Sequence, residues 1–395
     1  MKIAYIVADF GLTSETFVTD LALDLKQSGQ SIKIFCNAAE FPANDIVEIE
    51  KVNFLGLSSI VDKISIRVNK IFDRHGKFNT YQRQLKKAYH SLLPVLNQYQ
   101  PDVAYLDFGT VAALVQSTLQ VLNIPFVVHF HGSDISSAVN DPAYRQELQN
   151  VFKNASALIV ASHHIRRLLV LEGAPREKIH LVRLGINLEG IVPKPWSDRK
   201  LLTPSVVFLG RFTPKKHPVA LVEAFAIVKH QVPNAQLTMI GDGSEMPKVK
   251  QRIEKLKLEN SVRLYGSLPR AKALFIANQH WVFAQHSVTA PNGDQEGFGV
   301  SLAEAAALEL PTVSTLHNGI PEQVINEKTG FLVREFDYES MAENIIKLLN
   351  NTDLAEKMGK YGRQHISQLC QISERTKQIN NILISASLDV KHRTE

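Results

Sequence analysis

Cysteine is nearly absent: Cys36 and Cys370 are the only two in 395 residues, with no paired metal spacing. Neither a disulfide framework nor a thiolate metal centre is therefore written into the chain. Long apolar runs are missing as well, and nothing approaches the ~20 residues needed to span a bilayer. The apolar run at the start, Met-Lys-Ile-Ala-Tyr-Ile-Val-Ala-Asp9, is short and has no small-residue cleavage site. It reads as a strand and not as a signal peptide, so a reduced, cytoplasmic protein is expected. The loop after that strand, Asp9-Phe-Gly-Leu-Thr-Ser14, lacks the Gly-x-Gly-x-x-Gly of dinucleotide binding, which counts against a nicotinamide dehydrogenase. No Gly-x4-Gly-Lys-Ser/Thr is found, which removes a P-loop nucleotidase. No two Asp stand two apart, so the Asp-x-Asp usual in metal-dependent sugar-nucleotide enzymes is missing too.

What is present is ordinary for a globular protein: 45% hydrophobic and 21% charged residues. The length favours two domains over one core. The net charge of +5 is local. Residues 62–87 carry eight Lys or Arg against Asp62 and Asp73, a net +6, leaving the remainder near −1. Within that segment Lys63, Arg67, Lys70 and Arg74 recur at helical spacing beside Ile64, Val68, Ile71 and Phe72. Such a helix suits an anionic membrane surface on the cytoplasmic side, and equally a solvated basic face packed on its own domain. No zinc-finger or RNA-binding signature accompanies the charge, so nucleic acid is not an expected partner.

Apolar β-branched runs alternate with amphipathic stretches at 3–8, 32–35, 103–106, 126–130, 158–160 and 180–182. A Pro-interrupted polar segment at 191–196 reads as a linker. The alternation then restarts at 205–209, 236–240, 262–265, 281–284, 312–314 and 330–333. This is the α/β pattern of two doubly wound, Rossmann-like domains, expected to face each other across a cleft. Their predicted bounds are 1–190 and 191–365, with a helical segment at 366–395 packing back on the first.

The loops carry the chemistry. Glu296-Gly-Phe-Gly-Val-Ser-Leu-Ala-Glu304 sets two carboxylates around a Gly-rich bend, with a helix predicted to start near Val300. Free N–H groups and the positive end of the helix dipole then lie beside both acids, where a phosphate fits and where carboxylates accept hydrogen bonds from sugar or ribose hydroxyls. The bland alternative is a solvated helix face. Gly210-Arg211-Phe-Thr-Pro-Lys215-Lys216 follows a strand, and Arg211 and Lys216 are a candidate cation pair for a pyrophosphate. Gly241, in Ile240-Gly-Asp-Gly243, is a candidate wall of a nucleotide site. Asn318-Gly-Ile-Pro-Glu322 offers another Gly turn ahead of a Pro-started helix. In the first half, Gly11 lies in the loop after the first strand, and His129-Phe-His131-Gly-Ser-Asp134 follows another. His129 and His131 are expected to point apart and no third ligand is evident, so no metal site is expected.

Taken together, these residues resemble the retaining glycosyltransferases of the GT-B fold, specifically glycosyltransferase family 4, over nearly the whole chain. The resemblance implies that Arg211 and Lys216 hold the donor diphosphate, that Glu304 binds the ribose and that Glu296 binds the transferred sugar. It further implies that Gly11, Gly210, Gly241 and the backbone around Phe298, Gly299 and Val300 complete the donor site. His131 would face donor sugar and acceptor, with Ser14, Glu15 and Asp134 on the acceptor side. His131, Glu296, Arg211 and Lys216 are then the groups expected to carry the transfer. One Gly stands in the first loop where many relatives have two. Ser287-Val-Thr-Ala-Pro-Asn-Gly-Asp-Gln-Glu296 and Ser14-Glu-Thr-Phe17 look like the branch that builds bacterial exopolysaccharides such as colanic acid. The expected partners are a nucleotide sugar, with UDP-glucose or UDP-galactose favoured, and a glycan or polyprenyl-diphosphate-linked acceptor. Neither a cofactor nor a metal is called for. A nucleotide-sugar epimerase of the same fold, or a non-catalytic binding protein, is the alternative.

Overall fold

The computed structural model describes residues 1–12, 15–40, 47–55, 76–188 and 190–391. Ser14 and the basic residues Lys63, Arg67, Lys70 and Arg74 lie outside the described residues. The chain divides into one unit of residues 1–182 with 373–395 and a second of residues 183–372. The passage between them falls after Val182, ahead of the expected linker at 191–196, and the chain returns at Ser373.

The first unit holds a parallel sheet in the order β3-β2-β1-β4-β5-β6-β7. These strands are β1 (Lys2–Phe10), β2 (Ser31–Ala39), β3 (Glu48–Lys51), β4 (Val103–Asp107), β5 (Phe126–Phe130), β6 (Ala157–Val160) and β7 (Ile179–Leu181). Both faces are covered, so the strands read as near-continuous apolar runs. Ala4 and Ile6 of β1 face one core with Leu106, Val128 and Leu158, while Ile3, Tyr5 and Val7 face the other. The helix Ile372–Lys391 contributes Ile379, Leu383 and Ala386 to that second core, and its Arg375 pairs with Asp24. β3 is the one described strand the alternation does not predict. Its sequence, Glu-Ile-Glu-Lys, has a single apolar residue, and it is an edge strand whose Glu48 and Glu50 lie 2.6 and 2.9 Å from Lys33 of β2.

The second unit repeats the design with the order β10-β9-β8-β11-β12-β13, also parallel. Here β8 is Ser205–Leu209, β9 Gln236–Ile240, β10 Val262–Leu264, β11 Val282–Gln285, β12 Thr312–Thr315 and β13 Gly330–Val333. In each sheet the strand order reverses once, between β1 and β4 and between β8 and β11. Ligands of such sheets bind outside the carboxyl ends of the strands at that reversal. The loops after β1, β4, β8 and β11 are therefore where each sheet offers a site.

Candidate active site

In the second unit the loop after β8 begins at Gly210. A Cβ there would press against Lys216, with Cδ at 3.1 and Cε at 3.2 Å, so glycine leaves the lysine stem room to lie across the backbone. A Cβ on Gly241 would strike the Gly210 carbonyl, which is why the loops after β8 and β9 pack main chain to main chain. Lys216 closes the short 3-10 turn Pro214–Lys216 and is 8% exposed. Its Nζ lies 2.8 Å from Glu296 Oε2 and 3.1 Å from Gln285 Oε1. Lys215, equally buried, reaches Asp294 Oδ1 at 3.2 Å and the Gln295 carbonyl at 3.2 Å, and its own carbonyl accepts from Val288 N–H. The segment between β11 and the following helix is thus fastened to the loop after β8. Arg211 is exposed and makes no ion pair among the described residues. The expected pair therefore consists of one cation already engaged by a carboxylate and one open to solvent.

Glu296 is 7% exposed. Burial alone would push its carboxyl up; Lys216, and after it Lys215, outweigh that and hold it at about 2. The group is an anion at neutral pH, fit to accept hydrogen bonds. Its backbone N–H donates to His317 Nε2 at 3.2 Å, and His317 Nδ1 lies 2.6 Å from Glu335 Oε1. An imidazole that accepts at Nε2 and donates at Nδ1 satisfies both contacts as the neutral ring. Asn318 donates to Gln295 Oε1 at 3.2 Å, while Glu322 pairs with Arg183.

Gly299, at φ 84, caps the helix Val300–Ala307, and Leu302 would collide with any side chain there. The Phe298 carbonyl accepts from Gln323, whereas the N–H groups of Phe298, Gly299 and Val300 have no acceptor among the described residues. They are the orphan donors of a helix start. Glu304 lies one turn inside, 6% exposed, with Oε1 2.5 Å from Arg270 Nε. Arg270, at the head of its own helix Arg270–Ala277, is a neighbour the sequence spacing does not reveal.

In the first unit Gly11 takes φ 86 directly after β1, and Glu15 is half-buried at the start of the helix Thr16–Gln27. Asp134 is turned inward, 1% exposed, and accepts the N–H groups of Gly109 at 2.9 Å, Gly132 at 2.8 Å and His131 at 3.1 Å. It fixes the turn after β5 to the turn after β4. His131 sits between the rings of Phe17 and Phe108, and its Nε2 is 2.8 Å from Asp107 Oδ1. Tyr5 donates to the other Asp107 oxygen, and the Tyr105 hydroxyl is 2.6 Å from His129 Nδ1. Burial, then the neighbouring His131 and Arg375, keep the His129 pKa well below the usual histidine range. Burial, then Asp107, push the Tyr5 hydroxyl up.

The expectation that His129 and His131 point apart fails. Residues two apart along a strand share a face, so His129 near the end of β5 and His131 just past it lie side by side, with ring centroids 4.2 Å apart. Asp107, the last residue of β4, supplies the third group that the spacing hides, so Asp107, His129 and His131 bring three ligand-type atoms within 4.8 Å of one another. They are the residues that could hold a divalent cation. As folded, His131 Nε2 is joined to Asp107 and His129 Nδ1 to the Tyr105 hydroxyl in a buried Tyr-Asp-His network, while His129 Nε2 and His131 Nδ1 are buried with no hydrogen-bond partner among the described residues.

Residues 14–189 match the family described as Glycosyltransferase Family 4, and residues 198–365 match Glycosyl transferases group 1. WcaL of Escherichia coli, provisionally named a colanic acid biosynthesis glycosyltransferase, is 30% identical over 367 residues, 87% of this chain and 90% of that one. The amylovoran biosynthesis glycosyltransferase AmsK of Erwinia amylovora is 27% identical over 88% of this chain and 90% of its own. Among solved structures, Anabaena HepE with UDP and glucose superposes with a TM-score of 0.76 at 19% identity, covering 98% of this chain and 100% of that one. Sucrose-phosphate synthase from Thermosynechococcus elongatus gives 0.78 at 19% identity, over 97% and 98%. The architecture is that of a GT-B glycosyltransferase. The chain belongs to glycosyltransferase family 4.

Proposed function

We propose that the protein transfers a hexose from a nucleoside diphosphate sugar, UDP-glucose or UDP-galactose by preference, to a glycan or polyprenyl-diphosphate-linked acceptor in exopolysaccharide biosynthesis, with retention of anomeric configuration. The observation that carries this reading is the buried Lys216–Glu296 pair beside the unpaired N–H groups of Phe298, Gly299 and Val300. A carboxylate held ionised reads hydroxyls, while an ammonium and helix N–H groups neutralise a departing diphosphate. The names of WcaL and AmsK support the exopolysaccharide assignment, and the UDP and UDP-glucose bound by HepE support the donor class.

In this mechanism Glu304 binds the ribose and Glu296 the sugar. Lys216, Arg211 and the helix N–H groups stabilise charge on the β-phosphate as the C1–oxygen bond breaks. The acceptor oxygen attacks C1 from the face the diphosphate leaves, and its proton passes to the departing phosphate oxygen. Glu296 is not a nucleophile here: its Oε2 is tied to Lys216, and a carboxylate of such low basicity attacks poorly. His131, oriented through Nε2 by Asp107, retains Nδ1 without a hydrogen-bond partner and serves the donor sugar and acceptor side. Since fixed cations and backbone donors carry the charge, transfer needs no divalent metal.

A thermal-shift panel of UDP, GDP, ADP and their sugars tests the donor, because a ligand at 100 times its Kd adds about 2.7 kcal/mol of apparent stability. UDP and a UDP-hexose should give the largest shifts. NMR of the first-formed product should show the donor's anomeric configuration. An inverted product, a trapped glycosyl ester on Glu296, or epimerisation of donor incubated alone would each overturn the proposal.

A further inference from the structure

We infer that Gln285 is a positioning residue that aims Lys216 and Glu296 at the donor, an inference that rests on the transferase reading above. Gln285 ends β11, next to the reversal of strand order, and is fully buried. Its main chain is held in register against Ser314 of β12, whose hydroxyl donates to the Gln285 carbonyl at 2.7 Å. Its carboxamide makes every hydrogen bond it is capable of. Oε1 accepts from Lys216 Nζ at 3.1 Å and from Ser301 Oγ at 3.2 Å. Nε2 donates to Ser287 Oγ at 2.8 Å and to Glu296 Oε2 at 3.4 Å. The orientation of the amide follows from chemistry: an ammonium has nothing to accept with and a carboxylate nothing to donate, so only one of the two flips satisfies both.

The consequence is geometric. An ammonium has three N–H bonds at fixed angles, and the Lys216 ammonium spends one on Glu296 and one on Gln285, so the direction of the third is determined. Glu296 receives both contacts on Oε2, which leaves Oε1 with no donor among the described residues. Gln285 thereby selects the one N–H of Lys216 and the one oxygen of Glu296 that remain for a ligand. It also links three separate segments, the turn after β8, the loop before Glu296 and the first turn of the helix Val300–Ala307, through Lys216, Glu296 and Ser301. It touches no substrate atom itself in this scheme.

The test uses full-length Gln285→Met, which keeps length without hydrogen bonds, and Gln285→Glu. Gln285→Met should keep its melting temperature within a few degrees of wild type while kcat/KM falls about 10²-fold, the cost of a reacting group displaced by about 1 Å. Gln285→Glu places a carboxylate against Glu296 and Lys216, with Lys215 and His317 beyond them. Once protonated it again presents a donor on one side and an acceptor on the other, one N–H short of the amide, so its activity should climb toward wild type as the pH is lowered, a limb absent from wild type and from the Met variant. Independently of turnover, ¹⁵N-lysine-labelled protein should show a protected Nζ resonance, assigned by its loss in Lys216→Met, that broadens away in Gln285→Met. Wild-type kinetics in Gln285→Met, no acid recovery in Gln285→Glu, or an unchanged Nζ resonance would each overturn the inference. A wild type that transfers from no donor would defeat the transferase reading instead, and the Nζ resonance would still decide whether Gln285 orders Lys216.

Discussion

Removing Lys216 gives the sharpest test of the electrostatics at Glu296. The carboxyl titrates at about 2 in the folded protein against an ordinary 4.5, a gap worth about 3 kcal/mol. Because the folded value is depressed, this stability is fully present above pH 4.5 and is lost as the pH falls toward 2. Lys216→Met deletes the main cause of the depression and leaves burial, which pushes the carboxyl up. Breaking one side of a buried ion pair costs about 3–5 kcal/mol, and since Lys215 remains nearby the lower end is expected at pH 7. The sign of the pH dependence should then reverse. The variant's deficit should shrink as the pH drops from 7 to 5, because Glu296 now takes up a proton on folding. Lys216→Met with Glu296→Gln should recover most of the loss. The assay is convenient, because the two tryptophans of the chain, Trp196 and Trp281, both lie in the second unit and both are buried. Urea unfolding followed by tryptophan fluorescence therefore reports on the unit that contains the pair. A midpoint equal to wild type at pH 7, or a deficit constant from pH 8 to pH 5, would refute the reasoning.

Glu304→Ala should weaken UDP itself by about 1.5–3 kcal/mol in calorimetry, the loss of a charged acceptor, and equal affinity would remove the ribose assignment. His131→Ala should lower kcat far more than UDP affinity, so steady-state kinetics beside calorimetry checks it; a fall in affinity alone would move His131 out of the transfer step. Transfer should survive excess EDTA, and a complete loss restored by Mg²⁺ would contradict the assignment of phosphate charge to Lys216, Arg211 and the helix N–H groups.

The twelve strands predicted from apolar alternation are all present, as is the helix start at Val300, because buried parallel strands and a Gly-led helix leave local signals. β3 left none, since an edge strand of four residues carrying three charges looks like a loop. The chain divides into its two units after Val182, eight residues ahead of the expected 190/191, at a stretch with no Pro to mark it. At the site, the residues followed by Gly-rich bends were legible, whereas their partners were not. Asp107, Gln285, Arg270 and His317 reach His131, Lys216, Glu304 and Glu296 from other strands or helices, and only the strand order makes them neighbours. One trace was available: Asp107 is a lone acid closing an otherwise apolar run, a place where a charge needs a partner.

The charged edge of the first sheet bears on how the protein survives its own concentration. Among the described residues β3 pairs only with β2, and Glu48, Glu50 and Lys51 are three of its four residues. An open strand edge is a template for another chain, and charge is a common way of spoiling it. Valine or threonine at 48 and 50 would raise strand propensity and remove two carboxylates from beside Lys33. The same change would make the edge adhesive, so a variant that looks better folded by local rules would be the one that precipitates on the bench.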